Sequence, residues 1–305
     1  MSKALTNKPA AAAKKIHDGR LMSVFSYTIV TLLALTVIYP MLNIISVSVS
    51  SYNSFARNPM MLFPTELNFQ AYGAVFASRL LLRSYANTIY VTAAGTVLTL
   101  IITVLTAYPL SRPQLRLKGL FNTLLIITMM FSGGIIPAFL LMRGLGLIDK
   151  LPSLYLPSIL TAYNVILMTN FLRALPDSLL EAATIDGASE PFILWRIVLP
   201  LSKPILATIA LFAAVGLWNN YFSAVIYIRT QANWPVQLVL REIIMAANTA
   251  ALQAGGNLAE IDTASIPMDQ LRYATLIVVM LPIMCVYPFL QKYFATGVML
   301  GAVKG

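Results

Sequence analysis

Six stretches of this sequence run for about 20 residues each without a single Asp, Glu, Lys or Arg: 22–47, 86–110, 120–142, 153–172, 205–228 and 273–290. A helix of about 20 apolar residues is what the roughly 30 Å hydrocarbon core of a bilayer requires, so each run is a predicted membrane span. Lipid offers no water to an unpaired peptide group, which restricts such segments to helices or closed barrels. The apolar/polar alternation of barrel strands is absent. Composition points the same way: of 305 residues, 58% are hydrophobic and only 10% charged, whereas a soluble domain carries about 25% charged residues. The first run is too long for the apolar core of a cleaved signal peptide, and no small-x-small site follows it, so it reads as a retained helix. The expectation is an all-α integral membrane protein with six transmembrane helices. A basic tail occupies 1–21, the membrane domain 22–296 and a short C-terminal tail 297–305.

The formal charge of +10 could suggest nucleic acid, but a nucleic-acid face gathers its basic residues in one patch. Here they flank the apolar runs, where topology signals sit. With both termini in the cytoplasm, the inner segments hold Lys3, Lys8, Lys14, Lys15, Arg20, Arg112, Arg116, Lys118, Arg173, Arg196, Lys203, Lys292 and Lys304, which is 13 of the 21 basic residues. That excess of positive charge inside fixes the expected orientation. Two outer segments, 50–85 and 229–272, are long and mix proline with aromatic and polar residues.

Catalytic chemistry has little to work with. Cys285 is the only cysteine and sits in an apolar run, where a small core residue is expected; His17 is the only histidine and lies in the basic tail. The phosphate loop Gly-x-x-x-x-Gly-Lys-Ser/Thr, the zinc motif His-Glu-x-x-His and the nucleophile turn Gly-x-Ser-x-Gly do not occur. An enzyme in its own right is not expected, and no cofactor is expected on this chain.

Segment 175–204 is the informative loop. Ser178 and Glu181 have the spacing of a capping box, which would open a first helix just after Pro176 and Asp177. Gly187 suits the left-handed residue that closes it, and Ser189 suits the cap of a second helix with Glu190 and Pro191 in its first turn. That helix is expected to run through Trp195 to Leu199 and stop at Pro200. Phe192, Ile193 and Trp195 are costly in water and would serve as anchors in a partner's groove.

The run Glu181-Ala182-Ala183, with Asp186-Gly187 and then Ile197, Leu199 and Pro200, resembles the EAA loop of ATP-binding-cassette (ABC) importer permeases. The C-terminal stretch from Gln291 to Gly305 and Trp218-Asn219-Asn220 are similar to the smaller permease of maltose-type, carbohydrate-uptake systems. Among these the chain looks closest to permeases for acidic oligosaccharides of the alginate and pectin type, and it resembles in particular the smaller permease of bacterial alginate importers.

The resemblance implies a type I importer fold in the bacterial inner membrane. It also implies a second permease subunit, two ATPase subunits that bind ATP and Mg, and an external sugar-binding protein. Contact with the ATPase would fall to Glu181, Ala182, Ala183, Asp186, Gly187, Ile197, Leu199 and Pro200, with Gln291, Lys292, Lys304 and Gly305 reaching toward the same interface. Trp218, Asn219, Asn220 and Tyr221 are candidates for the sugar path, although amides buried in lipid more often bond neighbouring helices. Asn43, Asn87, Tyr163, Asn164 and Asn170 are weaker candidates of the same kind. The rival reading, an ion-coupled secondary sugar transporter, would place ionisable residues inside the spans.

Overall fold

The structure is a computed structural model that describes residues 18–250 and 267–302. Among these residues it is built of helices, with one isolated β-bridge between Ser50 and Leu67. The chain divides into two compact units, 1–67 and 68–305.

In the first unit, α1 (Asp18–Ser48) begins inside the segment expected to be tail. Its apolar side chains from Met22 to Tyr39 are exposed, as befits a span whose solvent is lipid. The end of α1 is tied to the loop that follows α2 (Tyr52–Arg57). The Asn43 amide donates to the carbonyls of Pro59 and Met61 at 3.0 and 2.9 Å, and the Ser46 hydroxyl donates to that of Leu62. Asn43 therefore fastens its own loop. Ser51 caps α2 and donates to the Glu66 carboxylate, which holds that carboxyl below its usual range.

The second unit is organised around α4 (Arg79–Ser111), which follows the short α3 (Gln70–Ala77). At about 1.5 Å per residue its 33 residues exceed the thickness of the hydrocarbon core. The expected third span is broken in two. α5 (Lys118–Met130) and α6 (Ile135–Gly144) meet at 111°, because residues 131–134 end in two glycines and Gly134 takes φ +82°. The fourth is broken as well. Pro152 and Pro157 restrict its start to short 3-10 turns over 151–158, bent 51° from α7 (Ala162–Arg173).

Beyond α7 come α8 (Asp177–Ile185), α9 (Glu190–Leu201) and α10 (Lys203–Trp218), the last two bent by 80° at Ser202. The fifth predicted run, 205–228, also breaks. α10 ends at Trp218 and α11 (Phe222–Tyr227) follows, since the Asn220 side chain accepts the Ser223 amide at 3.1 Å and starts a new helix. Then come α12 (Val236–Ala250) and α13 (Met268–Ala302). Among the described residues three helices are long and apolar enough to cross a membrane, and up to six spans result if each bent pair counts as one.

Three apolar clusters hold the second unit. Near the start of α4, Leu80 and Leu81 meet Val236, Val239 and Ile243 of α12 and Leu271 of α13. In the middle, Val91 joins Tyr155, Leu217 and Ile228. At the far end, Val104 and Ala107 meet Val165 and Met168 of α7, Ile193 and Val198 of α9, and Ile209 of α10.

A polar clasp joins two loops. Asp149, itself at φ +61°, accepts the amides of Arg229 and Thr230 at 3.0 and 2.9 Å and the Thr230 hydroxyl, while its own amide donates to Tyr227 at 2.8 Å. The hydroxyl and amides of this clasp, Thr230 first, hold the carboxyl below the usual Asp range. A lowered folded value means that the clasp's stabilisation is complete above the ordinary Asp range and fades only as pH falls through the lower one. In detergent-solubilised protein, Asp149→Ala is expected to melt several degrees below wild type at pH 7. The gap should shrink on acidification below about pH 4, and a gap that persists unchanged at pH 3 contradicts the assignment.

Candidate functional site

Segment 175–204 folds as an elbow. α8 is closed by Gly187 at φ +79°, where the Gly187 amide donates to Thr184 and the Ala188 amide reaches back to Ala183, both at 3.0 Å. This pair of bonds is the Schellman closure. An L-residue in that backbone conformation costs about 1–2 kcal/mol. The rest of the elbow departs from expectation in three respects. Pro176, not Ser178, is the residue before α8, so Ser178 already lies in the helix and no capping box forms with Glu181. Ser189 holds the cap position of α9 with extended backbone, but its hydroxyl makes no capping bond. α9 also continues past Pro200 to Leu201. A π turn over Leu194–Val198 widens the helix one turn before the proline ring, the usual way to accommodate a missing N–H.

The elbow has a core face and an outer face. Leu180, Ala183, Ala188, Ile193, Leu194, Val198 and Leu199 pack toward α4 and α7, so Ile193 is a core residue and not an anchor. Ile197 is half-buried. Glu181, Ala182, Asp186, Gly187, Phe192, Trp195 and Pro200 are exposed. Ile185 is 86% exposed and Trp195 67%, a high exposure for apolar side chains outside a lipid-facing span.

One ion pair fixes α9 to the end of α4. Arg112 Nη2 lies 3.1 Å from Glu190 Oε2, and the Tyr108 hydroxyl donates to the same carboxylate. Arg173 adds a bond to the Leu110 carbonyl at 3.1 Å. A groove of about 870 Å³ separates the elbow from the α4 end, with Arg112, Gln114, Asp177 and Glu181 on its walls. Glu181 forms no ion pair among the described residues.

The second constellation lies deeper. Of the four residues expected along a sugar path, Asn220 lines a cavity of about 430 Å³ between α4, α7 and α10, and Trp218 borders a separate, smaller apolar recess of about 170 Å³ with Pro282 and Val286. Trp218 is buried, its indole N–H donating to the Val279 carbonyl at 3.3 Å and its ring edge against Tyr85, so it joins α10 to α13. Asn219 bonds the Val215 carbonyl and accepts from Gln237, and Tyr221 is exposed beside Phe222. Asn87 likewise bonds the carbonyls of Ala232 and Trp234. The cavity, about 430 Å³, is lined instead by Thr99 of α4, Tyr163 and Asn164 of α7, and Phe212 of α10, with Ser158 and Thr161 at its edge. Asn170 and Arg173 face a separate recess of about 210 Å³.

Gln291 and Lys292 fall on α13; Lys304, Gly305 and His17 lie outside the described residues. Cys285 is exposed, not packed in a core. Among the described residues no cluster of His, Cys, Asp and Glu could hold a metal ion.

Residues 21–299 match the family described as the inner-membrane component of binding-protein-dependent transport systems. The chain belongs to this family. It is thus a permease component of the bacterial inner membrane, and the family is one of transport subunits, not of catalytic enzymes. Relatives of this permease cover nearly its whole length. Protein LplC of Bacillus subtilis is 41% identical over 268 residues, 88% of this chain and 90% of LplC. The polygalacturonan/rhamnogalacturonan transport system permease protein YtcP of the same organism is 37% identical over 288 residues, 94% of this chain and 99% of YtcP. A chain in the crystal structure of a bacterial ABC transporter that imports the acidic polysaccharide alginate shares 36% identity at a TM-score of 0.83, covering 91% of this permease and 98% of that chain. The overall architecture is therefore the permease fold of these importers.

Proposed function

We propose that this permease is one half of the membrane channel of an ATP-driven importer for acidic oligosaccharides. Its elbow receives the force of ATP binding from a partner ATPase subunit at the cytoplasmic face. The observation that carries the reading is the elbow itself: two helices set by a left-handed glycine and clamped to α4 by Arg112–Glu190, with Ile185, Phe192 and Trp195 held out in the open. Bare apolar and aromatic side chains on a rigid support are the anatomy of an anchor that fills a partner's pocket. Glu181, Ala182 and Asp186 frame that face, while Ala183, Ile197 and Leu199 support it from the core side. The tail beyond Gln291 would extend the contact. ATP and Mg²⁺ belong to the ATPase pair, and this subunit works by moving with it.

The remaining partners follow from the same reading. A second permease closes the channel, and an external binding protein, implied by the family description, delivers the sugar. The preference for uronate-type oligosaccharides is supported by the names of YtcP and of the alginate transporter. The basic residues gathered at one set of loop ends support cytoplasmic termini.

The test is the energy source. In proteoliposomes holding the whole importer, uptake of digalacturonate should require ATP inside and survive a proton uncoupler. Uptake abolished by the uncoupler and indifferent to ATP would establish ion coupling instead.

A further inference from the structure

The recess of about 210 Å³ between α5 and α7 has a polar wall of Asn122, Thr169, Asn170 and Arg173 and an apolar rim that includes Ile126 and Ile166. It lies where three helices begin or end. Thr169, Asn170 and Arg173 belong to the last turn of α7, Asn122 is one turn into α5, and Leu110, which Arg173 bonds, is in the last turn of α4. The elbow starts at Asp177 just beyond, so the recess sits at the membrane boundary on the elbow's side. Its polar groups are largely uncommitted. Arg173 gives one bond to the Leu110 carbonyl at 3.1 Å and forms no ion pair among the described residues, although a guanidinium has five N–H donors. The side-chain amides of Asn122 and Asn170 have no hydrogen-bond partner among the described residues. Thr169 is only 4% exposed, and its hydroxyl oxygen is buried without a partner; even the carbonyl one turn back, which helical threonines commonly bond, is not used.

No acidic side chain lines the recess, and Asp177 faces the elbow groove instead. Arg116 and Lys118, at the entry to α5, are likewise in no ion pair among the described residues. A free guanidinium flanked by amides suits a phosphate or a carboxylate. The volume falls below the range of about 300–1,000 Å³ in which sites enclose a whole small molecule, so the recess has room for a headgroup phosphate but not for an entire oligosaccharide. The rim favours a lipid as well: Ile126 is half-exposed, and Leu124 and Ile127 of the same helix are open. Basic pockets between spans near the membrane surface are where anionic headgroups dock. We infer that this recess is a site for an anionic phospholipid of the leaflet on the elbow's side. Arg173 pairs with the phosphate, Asn122 and Asn170 donate to its oxygens, and the acyl chains run along the open side of α5. No residue of α5 is fully buried, so a lipid bridging it to α7 supplies support that packing does not.

The test uses the detergent-purified importer with all its subunits, stripped of lipid and titrated with dioleoyl-phosphatidylglycerol or dioleoyl-phosphatidylcholine, with bound lipid counted by native mass spectrometry. Wild type should retain at least one phosphatidylglycerol that Arg173→Gln binds about tenfold more weakly, with Arg173→Lys falling between the two. Asn170→Leu leaves the bond to Leu110 in place and should weaken the same lipid about threefold, which decides the matter if Arg173→Gln fails to assemble. Equal retention of phosphatidylcholine would show a lipid coat blind to charge and overturn the site. Displacement of the phosphatidylglycerol by inorganic phosphate would assign the recess to a free anion, and displacement by digalacturonate would assign it to the transported sugar; either overturns the lipid assignment. Wild-type retention in Arg173→Gln and Asn170→Leu would overturn it too.

Discussion

Replacing Gly187 with valine is expected to leave the permease in the membrane and at normal abundance, but to reduce ATP-driven uptake to below about a tenth of wild type. The physical reason is local. Gly187 sits at φ +79° with open space where a Cβ would be, so the substitution meets no clash and the penalty is purely conformational. That penalty is about 1–2 kcal/mol for an ordinary L-residue and larger for a β-branched one. The backbone relieves it by leaving the left-handed region, which breaks the two bonds from Gly187 and Ala188 and swings α8 relative to α9. Anchors displaced by an ångström or two no longer fit a preformed pocket. Gly187→Asn, which tolerates this conformation better, should retain much more uptake. Uptake and ATPase rates in reconstituted vesicles check this, and near-normal rates for Gly187→Val would show that the elbow angle is irrelevant.

The second large effect is on folding. Gly95 lies at the crossing of α4 with Tyr155 and α10, where an added Cβ would stand 2.5 Å from Leu217 Cδ1 and 2.8 Å from Tyr155 Cβ. Real Cβ atoms do not approach so closely, and packed interiors have little room to yield. Leu217 can rotate, but Tyr155 presents its own Cβ and must move with its backbone. Gly95→Ala is therefore expected to cost about 1–3 kcal/mol, and Gly95→Leu to abolish the folded, detergent-soluble peak in size-exclusion chromatography. Leu217→Ala should rescue Gly95→Ala in part, because it removes one of the two obstacles. A monodisperse Gly95→Leu protein with wild-type thermal stability would refute this packing.

The two positions illustrate which features a sequence reveals. Gly187 was legible because its signal is local: a helical run, a glycine and a fresh helix start within a few residues. Gly95 was not, since its constraint comes from side chains about 60 and 120 residues away. The six apolar runs were legible as membrane segments, but hydropathy reports composition and not direction. The glycines at 133 and 134 and the amides at 219 and 220 turn the chain inside runs that look continuous. The capping box failed because Pro176 starts α8 before Ser178 can act, and Ile193 was misassigned because only packing decides which side of a short helix faces the core. Trp218 and Asn219 stood out as polar groups in an apolar run, yet backbone carbonyls, Gln237 and packing account for them. The cavity residues Thr99 and Phe212 carried no signal, as three helices must pack before they share a space.

The central claim is that the outer face of the elbow enters an ATPase subunit, and a photo-crosslinking residue at position 185 in the assembled importer tests it most directly. Cross-links to the ATPase subunit, changing in yield when ATP replaces the empty state, are the expected result. Cross-links confined to lipid or to the external binding protein would contradict it.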